Sequence, residues 1–421
     1  MISKLKIRNF KSLESLDLKL GHFNLLVGAN ASGKSNFLDA LRFLKGLGND
    51  LDLNEILNGK PSSTLNARWE GIRGGARYFA FLDRNGKRQE PVSFDIETSL
   101  PLSQEPSAFD YHLAVSIKDD HAIVSEESAS DIPGSHLLNV IRENLLTNDT
   151  EGNFKSYYVS RPTAGICVRT FSEDIEKVTE HTEEANALSN TYGPFQDFYR
   201  SLRDLFHEIA NMQFLDPDPV ILRGYADHGR IAQMGEHGEG FAGIIKQICG
   251  SPSSYDALLE WLKNLRPDEI TSLTTVEAPA GELMLAVNEY SRQFLAPTLS
   301  EGTLRFIALA AAFFQPVMPK VIVLEEIEKG LHPSRLRLLL ELMRTQSKRT
   351  NTQVIATTHS PTLLSWLTSE DRKTTFVCSR DAESGATQMH SLAELPDLES
   401  ILSKGSALSE LFEQGWMESV L

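Results

Sequence analysis

Cysteine is scarce in this sequence. Cys167, Cys249 and Cys378 are the only three. They stand far apart, and no pair has the spacing of a metal-binding knuckle. A disulfide framework and a structural zinc site are therefore excluded, and a reduced, cytoplasmic compartment is expected. Long apolar runs are lacking too. No segment reaches the length and apolarity of a membrane span. The start, Met1-Ile2-Ser3-Lys4-Leu5-Lys6, lacks the apolar core of a secretory signal, so no membrane association is expected. Basic residues are in deficit, with 41 Lys and Arg against 57 Asp and Glu, a net charge of −16. A chain that wraps nucleic acid by charge alone is usually basic. Charge thus leaves room only for local contact with DNA, and the acidity reads first as a solubility device. No internal repeat, low-complexity tract or sustained heptad is visible, which argues against a long coiled coil. What remains is a 421-residue chain, 41% hydrophobic and 23% charged. That composition is globular, and the length suits one large domain or two to three smaller ones.

The chain is organised around Leu25-Leu26-Val27-Gly28-Ala29-Asn30-Ala31-Ser32-Gly33-Lys34-Ser35-Asn36. An apolar strand-like run, Phe23 to Val27, enters the pattern G-x-x-x-x-G-K-S. A helix-like pattern through Phe37, Leu38, Leu41, Phe43 and Leu44 leaves it. Gly28 and Gly33 allow backbone conformations closed to side chains, so successive N–H groups can face a polyphosphate. Lys34 brings charge to the β- and γ-phosphates, and the Ser35 hydroxyl can ligate Mg²⁺. The following helix points its positive end at the same phosphates.

Residues 1 to 20 read as two antiparallel strands, with Leu5, Ile7 and Phe10 and then Leu16, Leu18 and Leu20 alternating with polar residues. The phosphate-loop helix should run to about Leu47, where Gly46 and Gly48 break it. Residues 49 to 75 read as an irregular excursion. Strand-like runs follow at Tyr78–Leu82, Val92–Ile96 and Tyr111–Val115, with a hairpin signal at Asp83-Arg84-Asn85-Gly86-Lys87. Residues 129 to 190 carry Glu173, Asp174, Glu176, Glu180, Glu183 and Glu184 and read as a solvated face or mobile insertion. Helical patterns return at Pro194–Met212, Phe241–Ile248 and Tyr255–Leu265, and Met284–Val287 reads as a strand. Asp216-Pro217-Asp218-Pro219 mimics a metal-binding acid pair, but its prolines favour a turn.

A second dense region begins at Leu299-Ser300-Glu301-Gly302-Thr303, ahead of an Ala-rich helix over Leu304–Phe314. Ser300 is a good N-cap and Glu301 suits the helix dipole. Val321-Ile322-Val323-Leu324 reads as a parallel strand buried on both faces, and it ends in Glu325-Glu326. Carboxylates at such a strand end sit where α/β folds place ligands. One can hold the Mg²⁺ shell and the other can orient or deprotonate a water. A helix is expected from about Ser334 to Gln346. A further buried strand, Gln353–Thr357, ends in Thr358-His359-Ser360-Pro361, where His359 can touch the γ-phosphate.

In this order the motifs resemble the ABC-type ATPases of the SMC/RecF/OLD branch. Gly28 to Ser35 matches Walker A, Leu299 to Thr303 resembles the LSGGQ signature, Val321 to Glu326 matches Walker B, and His359 matches the switch histidine. Gly330-Leu331-His332-Pro333 falls at the D-loop. With Ile7-Arg8-Asn9-Phe10-Lys11-Ser12, it resembles stand-alone bacterial and archaeal AAA-family ATPases found beside defence genes. The specific motifs lie in residues 1 to 45 and 295 to 365. The usual Walker B Asp is Glu325, the usual following Pro is Ile327, and the candidate Q-loop glutamine is Gln213.

The resemblance implies an α/β ABC-type ATPase head of the P-loop class, with an antiparallel β-lobe and a helical lobe carrying the signature. The expected divisions are 1–128, 129–298 and 299–421. It implies ATP and Mg²⁺ as cofactors, with Lys34, Glu325, Glu326 and His359 as the catalytic set. Ser35, Glu325 and Gln213 would hold the metal. ATP would be sandwiched in a homodimer or higher homo-oligomer. Gly28, Ala29, Asn30, Ala31, Ser32, Gly33, Lys34, Ser35 and Asn36 of one copy would face Ser300, Glu301 and Gly302 of the other. Closure would regulate a separately encoded effector, a nuclease or toxin, in antiphage defence. Three readings compete: a non-hydrolysing nucleotide switch, an SMC/RecF-like DNA-tethering repair ATPase, and an OLD-like nuclease component. The intact carboxylate pair argues against the first and the acidity against the second. Only about sixty residues follow Thr-His-Ser-Pro, too few for the Toprim domain the third would need.

Overall fold

The computed structural model describes residues 1–49, 51–60, 69–102, 105–118, 121–132, 137–141, 144–148, 154–158, 196–227, 231–265 and 270–420. Cys167 and the acidic run from Glu173 to Glu184 lie outside the described residues. Two compact units are present. One comprises Met1–Gly21, Asn30–Asn211 and Cys378–Met389, the other His22–Ala29, Met212–Val377 and His390–Leu421. Along the chain the strands are β1 (Ile2–Phe10), β2 (Leu13–Lys19), β3 (Phe23–Val27), β4 (Val92–Leu102), β5 (Glu105–Lys118) and β6 (His121–Ile132). Then come β7 (Leu137–Ile141), β8 (Asn144–Asn148), β9 (Phe154–Tyr158), β10 (Met212–Leu215), β11 (Ile270–Glu277) and β12 (Leu283–Glu289). The last are β13 (Arg292–Leu295), β14 (Val321–Leu324), β15 (Gln353–Thr358), β16 (Thr375–Arg380) and β17 (Thr387–Ser391).

The first unit holds an antiparallel sheet in the order β2-β1-β4-β5-β6-β7-β8-β9. The alternation read from the sequence sets its register: Leu5 faces Leu18, Ile7 faces Leu16, and all four are buried. The sheet runs on to Tyr158, past Ser128. Phe10 of β1 and Phe94 of β4 meet Phe43 of the helix Lys34–Gly48. Phe43 and Phe94 stack at 4.9 Å, and Phe10 and Phe94 lie edge-on at 5.6 Å. Burying each ring is worth roughly 1.5–3 kcal/mol.

Phe79 explains why Tyr78–Leu82 is not the expected strand. Its ring enters the same cluster, 5.5 Å from Phe10 and 5.2 Å from Phe43. To deliver it, the chain takes a 3₁₀ turn at Ala76–Tyr78 and pairs with its neighbours as isolated bridges, Phe10 with Ala80 and Leu82 with Arg88. The excursion at 49–75 also differs from expectation. It contains a helix, Leu53–Asn58, with a capping box between Asp52 and Glu55 and with Leu53, Ile56 and Leu57 buried.

Asp39, on the phosphate-loop helix, is 1% exposed and pairs with both Lys11 and Arg73. Burial pushes the Lys11 ammonium below its ordinary value, and Asp39 opposes that shift. Asp39→Ala would strand the Lys11 charge, so a loss of about 3 kcal/mol is expected, read as a lower midpoint in urea unfolding. Cys378 is buried, which pushes its thiol up to about 12 and leaves it unreactive.

The second unit carries β10, β14, β15 and β3 in that order, with β16 up to Val377 beside β3. Its pairings β10 with β14, β14 with β15, β15 with β3 and β3 with β16 are all parallel. β10, β14, β15 and β3 are buried throughout, as continuous apolar runs predict. The helices Glu301–Ala311 and Pro333–Thr350 bury Leu304, Phe306, Leu336 and Leu340 in one core with Leu25, Leu324 and Ala356. A separate antiparallel meander, β11-β12-β13, contains the expected Met284–Val287 strand at its centre.

Candidate functional site

Parallel register decides what meets at one edge of the second sheet. Leu324 lies opposite Ala356, and Thr358 lies opposite Val27. The chain therefore leaves β3 at Gly28, β14 at Glu325 and β15 at His359 along the same carboxyl-terminal edge, where open α/β sheets bind ligands. His359 Nδ1 lies 2.8 Å from the Gly28 carbonyl oxygen, which can only accept, so Nδ1 carries the hydrogen. His359 Nε2 stands 3.5 Å from Glu326 Oε1. One imidazole thus stands between the first residue of the phosphate loop, which it bonds through Nδ1, and the second carboxylate of the pair, which Nε2 can bond only as the imidazolium.

Glu326 has a φ of +49°, a conformation that costs a non-glycine residue on the order of 1–3 kcal/mol. Two bonds from β15 hold it there. The Glu326 N–H donates to Thr357 Oγ1 at 2.9 Å, and the next N–H, of Ile327, donates to the Thr357 carbonyl at 3.1 Å. The Glu326 side chain stays 46% exposed. Glu325, directly after β14, is half-buried. Thr357 carries no signal of its own in the sequence, since a β-branched residue inside a strand reads as ordinary packing.

The phosphate loop crosses from one unit to the other after Ala29. On the second unit's side, the Ala29 N–H donates to Glu418 Oε1 at 3.3 Å, so an anionic oxygen already finds a donor there. On the first unit's side, Ala31 and Gly33 take positive φ, +64° and +103°. A Cβ at Gly33 would come within 1.9 Å of Thr387 Oγ1, so only glycine fits. Gly33 also stands at the N-cap of the helix Lys34–Gly48, with no side chain to cap it. Lys34 is buried, with its Nζ 3.1 Å from Ser32 Oγ. Asn36 donates to Ser12 Oγ at 2.6 Å, and Ser12 reaches Thr387 at 2.7 Å. Arg73 donates to the Ser35 carbonyl at 2.5 Å. A left-handed glycine ahead of an uncapped helix start, with a lysine at its base, is a cradle that fits a polyphosphate.

The signature segment is built as a capped helix. Ser300 accepts the Thr303 N–H at 3.2 Å, and the helix begins at Glu301, three residues ahead of the expected Leu304. A Cβ at Gly302 would meet the Gly330 carbonyl at 2.5 Å and Arg335 Nη1 at 3.0 Å. Asp216 does not ligate with Asp218. It pairs with Arg305 at 3.0 Å and Lys329 at 3.1 Å, while Asp218 caps the short helix Pro219–Leu222. Gln213 is buried within β10, with both ends of its amide engaged. Nε2 donates to the Met234 carbonyl and Oε1 accepts from Gln315, each at 2.6 Å. Its bonds run into the core, not to the Glu326–His359 group. Among the described residues, no three His, Cys, Asp or Glu side chains group to hold a metal by themselves. Mg²⁺ is compatible with that, because it is typically held by one or two carboxylates together with substrate phosphates.

A solved structure, of an Smc head bound to the C-winged helix domain of ScpA, superposes with a TM-score of 0.50. It covers 96% of this chain and 99% of that one at 14% identity, which is a likeness of fold. A curated relative, the DNA replication and repair protein RecF of Actinobacillus succinogenes, is 39% identical over 74 residues, 16% of this chain and 21% of that protein. RecF of Pasteurella multocida is 50% identical over 44 residues, 10% of this chain and 12% of that protein. The chain thus spans less than a quarter of the length of the curated relatives it matches. No helix among the described residues is long and apolar enough to cross a membrane. Residues 23–365 match the family described as "AAA domain, putative AbiEii toxin, Type IV TA system". The chain belongs to that family, AAA_21, and has the fold of an ABC-type P-loop ATPase of the SMC/RecF branch.

Proposed function

We propose that this chain binds and hydrolyses ATP with Mg²⁺, and that ATP closes two copies into a dimer that controls a separate effector. The observation that carries the reading is the position of His359, bonded to Gly28 at the start of the phosphate loop and 3.5 Å from Glu326. In the proposed chemistry Lys34 and the loop N–H groups neutralise the phosphates. Ser35 and Glu325 would hold the metal, which when bound would supply charge neutralisation for phosphoryl transfer. Glu326 orients a water and takes its proton, and His359, donating from Nε2 as the imidazolium, steadies the γ-phosphate. Gln213 would have to surrender its bonds to Gln315 and Met234 before it could join the metal shell. The match to a family described with a putative toxin of a type IV toxin–antitoxin system supports a link to a toxin; in this reading the effector, a nuclease or toxin, acts in antiphage defence within the cytoplasm. A second reading, an SMC/RecF-like DNA repair ATPase, is supported by the RecF matches.

The purified chain is expected to release phosphate from ATP only with Mg²⁺. Lys34→Ala is expected to lose nucleotide binding by about 10²-fold or more, the scale of a lost charge-assisted contact in a preorganised site. Titration with a fluorescent ATP analogue measures it. Equal binding by the wild type and Lys34→Ala would refute the assignment.

A further inference from the structure

We propose that Glu328, the third acid of Glu325-Glu326-Ile327-Glu328, is the positioning residue for His359. The effect on turnover rests on the ATPase reading above; the effect on the His359 ring does not. Glu328 Oε1 accepts the His359 backbone N–H at 2.5 Å, a short, charge-assisted bond. Its other oxygen, Oε2, is buried with no hydrogen-bond partner among the described residues. A buried carboxylate oxygen left unpaired is costly, so packing alone would favour a neutral residue at this position. The nearest cation in sequence does not compensate it, because Lys329 pairs with Asp216.

The bond to His359 closes a reciprocal pattern. Glu326 and Ile327 each donate an N–H to Thr357, and His359, two residues on, returns one to Glu328. Three bonds thus lace the turn after β14 to the end of β15 and to the first residue beyond it. The first two hold Glu326 in its strained conformation. The third fixes the His359 backbone, and the ring direction follows. Only with that backbone fixed do Nδ1 and Nε2 reach Gly28 and Glu326 together, at 2.8 Å and 3.5 Å. Glu328 need not touch nucleotide to act; it sets which ring nitrogen carries the hydrogen and where the other points.

The test uses the full chain without nucleotide, labelled with ¹⁵N-histidine, with the His359 ring signals assigned by their loss in His359→Asn. The wild type is expected to show one tautomer, with the hydrogen on Nδ1. Glu328→Gln keeps an acceptor oxygen and should retain it. Glu328→Ala should give averaged ring signals, and Glu328→Asp, which withdraws the acceptor by one methylene, serves if the alanine variant does not fold. With Mg-ATP, Glu328→Ala should lose about tenfold in kcat with KM for ATP within about twofold, and glutamine should restore it. Wild-type ring signals in Glu328→Ala or Glu328→Asp would overturn the proposal, as would a glutamine variant as averaged as alanine. Averaged signals in a protein whose wild type hydrolyses no ATP would leave the positioning standing and remove the ATPase reading.

Discussion

Glu326→Gln is expected to bind ATP with near-normal affinity and to turn it over about 10²–10⁴-fold more slowly, the range for loss of a positioned general base. The amide keeps the shape of the carboxylate and removes the proton acceptor. Glutamine can occupy the same backbone conformation, because the bonds to Thr357 that hold it come from main-chain N–H groups. Binding is retained since the residues assigned to the phosphates are untouched. With hydrolysis blocked, the protein should accumulate as an ATP-bound dimer in sedimentation. Near-normal turnover by this variant would move the base role to Glu325, the next carboxylate along the chain.

Ser300→Arg is expected to leave ATP binding intact and to lower hydrolysis about 10²-fold, the scale for removing a positioned donor from a transition state. Ser300 caps the helix Glu301–Ala311, whose N-terminal N–H groups can receive an anion. In the proposed dimer that helix faces the phosphates of the other copy. Arginine there adds bulk and unfavourable charge at the helix start, and the lost cap costs only about 1 kcal/mol, so the fold should survive. The decisive experiment mixes Ser300→Arg with Lys34→Ala. Each is inactive alone, but a mixed dimer contains one site with an intact phosphate loop and an intact signature, so some activity should return. Sedimentation with ATP, run alongside, reports whether mixed dimers form. A wild type that stays monomeric with ATP, and whose specific activity does not change with protein concentration, rules out the shared site.

The parts of the fold legible in the sequence are those where one local rule acts alone. The apolar runs of β3, β14 and β15 predict strands buried on both faces, and parallel pairing then brings Gly28, Glu325 and His359 to one edge. Tyr78–Leu82 misleads because its apolar content serves a tertiary demand: Phe79 is drawn into a ring cluster that no local pattern reveals. Leu53–Asn58 escapes notice because six residues span too few turns to show a period, although Asp52 and Glu55 carry the capping signal. Gln213 illustrates a different limit. Its place on β10 follows from the sequence, but the direction of its amide depends on Gln315, a hundred residues away along the chain. Thr357 and Glu328 were hidden for the same reason, since their roles exist only once two loops from different strands are laced together.

The close approach at Gly302 has a consequence for substitution tolerance. The Gly330 carbonyl leaves no room for a methyl group at 302, whereas the Glu301 side chain is 65% exposed and reaches outward to Arg223 at 3.7 Å. Two adjacent positions in one short motif are therefore under unequal steric rules. Variation at 301 is free to retune charge on the signature surface. Any side chain at 302 would push the Gly330 loop off the helix start. A sequence with Leu-Ser-Glu-Gly in place of Leu-Ser-Gly-Gly has thus kept the glycine that backbone packing requires and spent the other on surface chemistry.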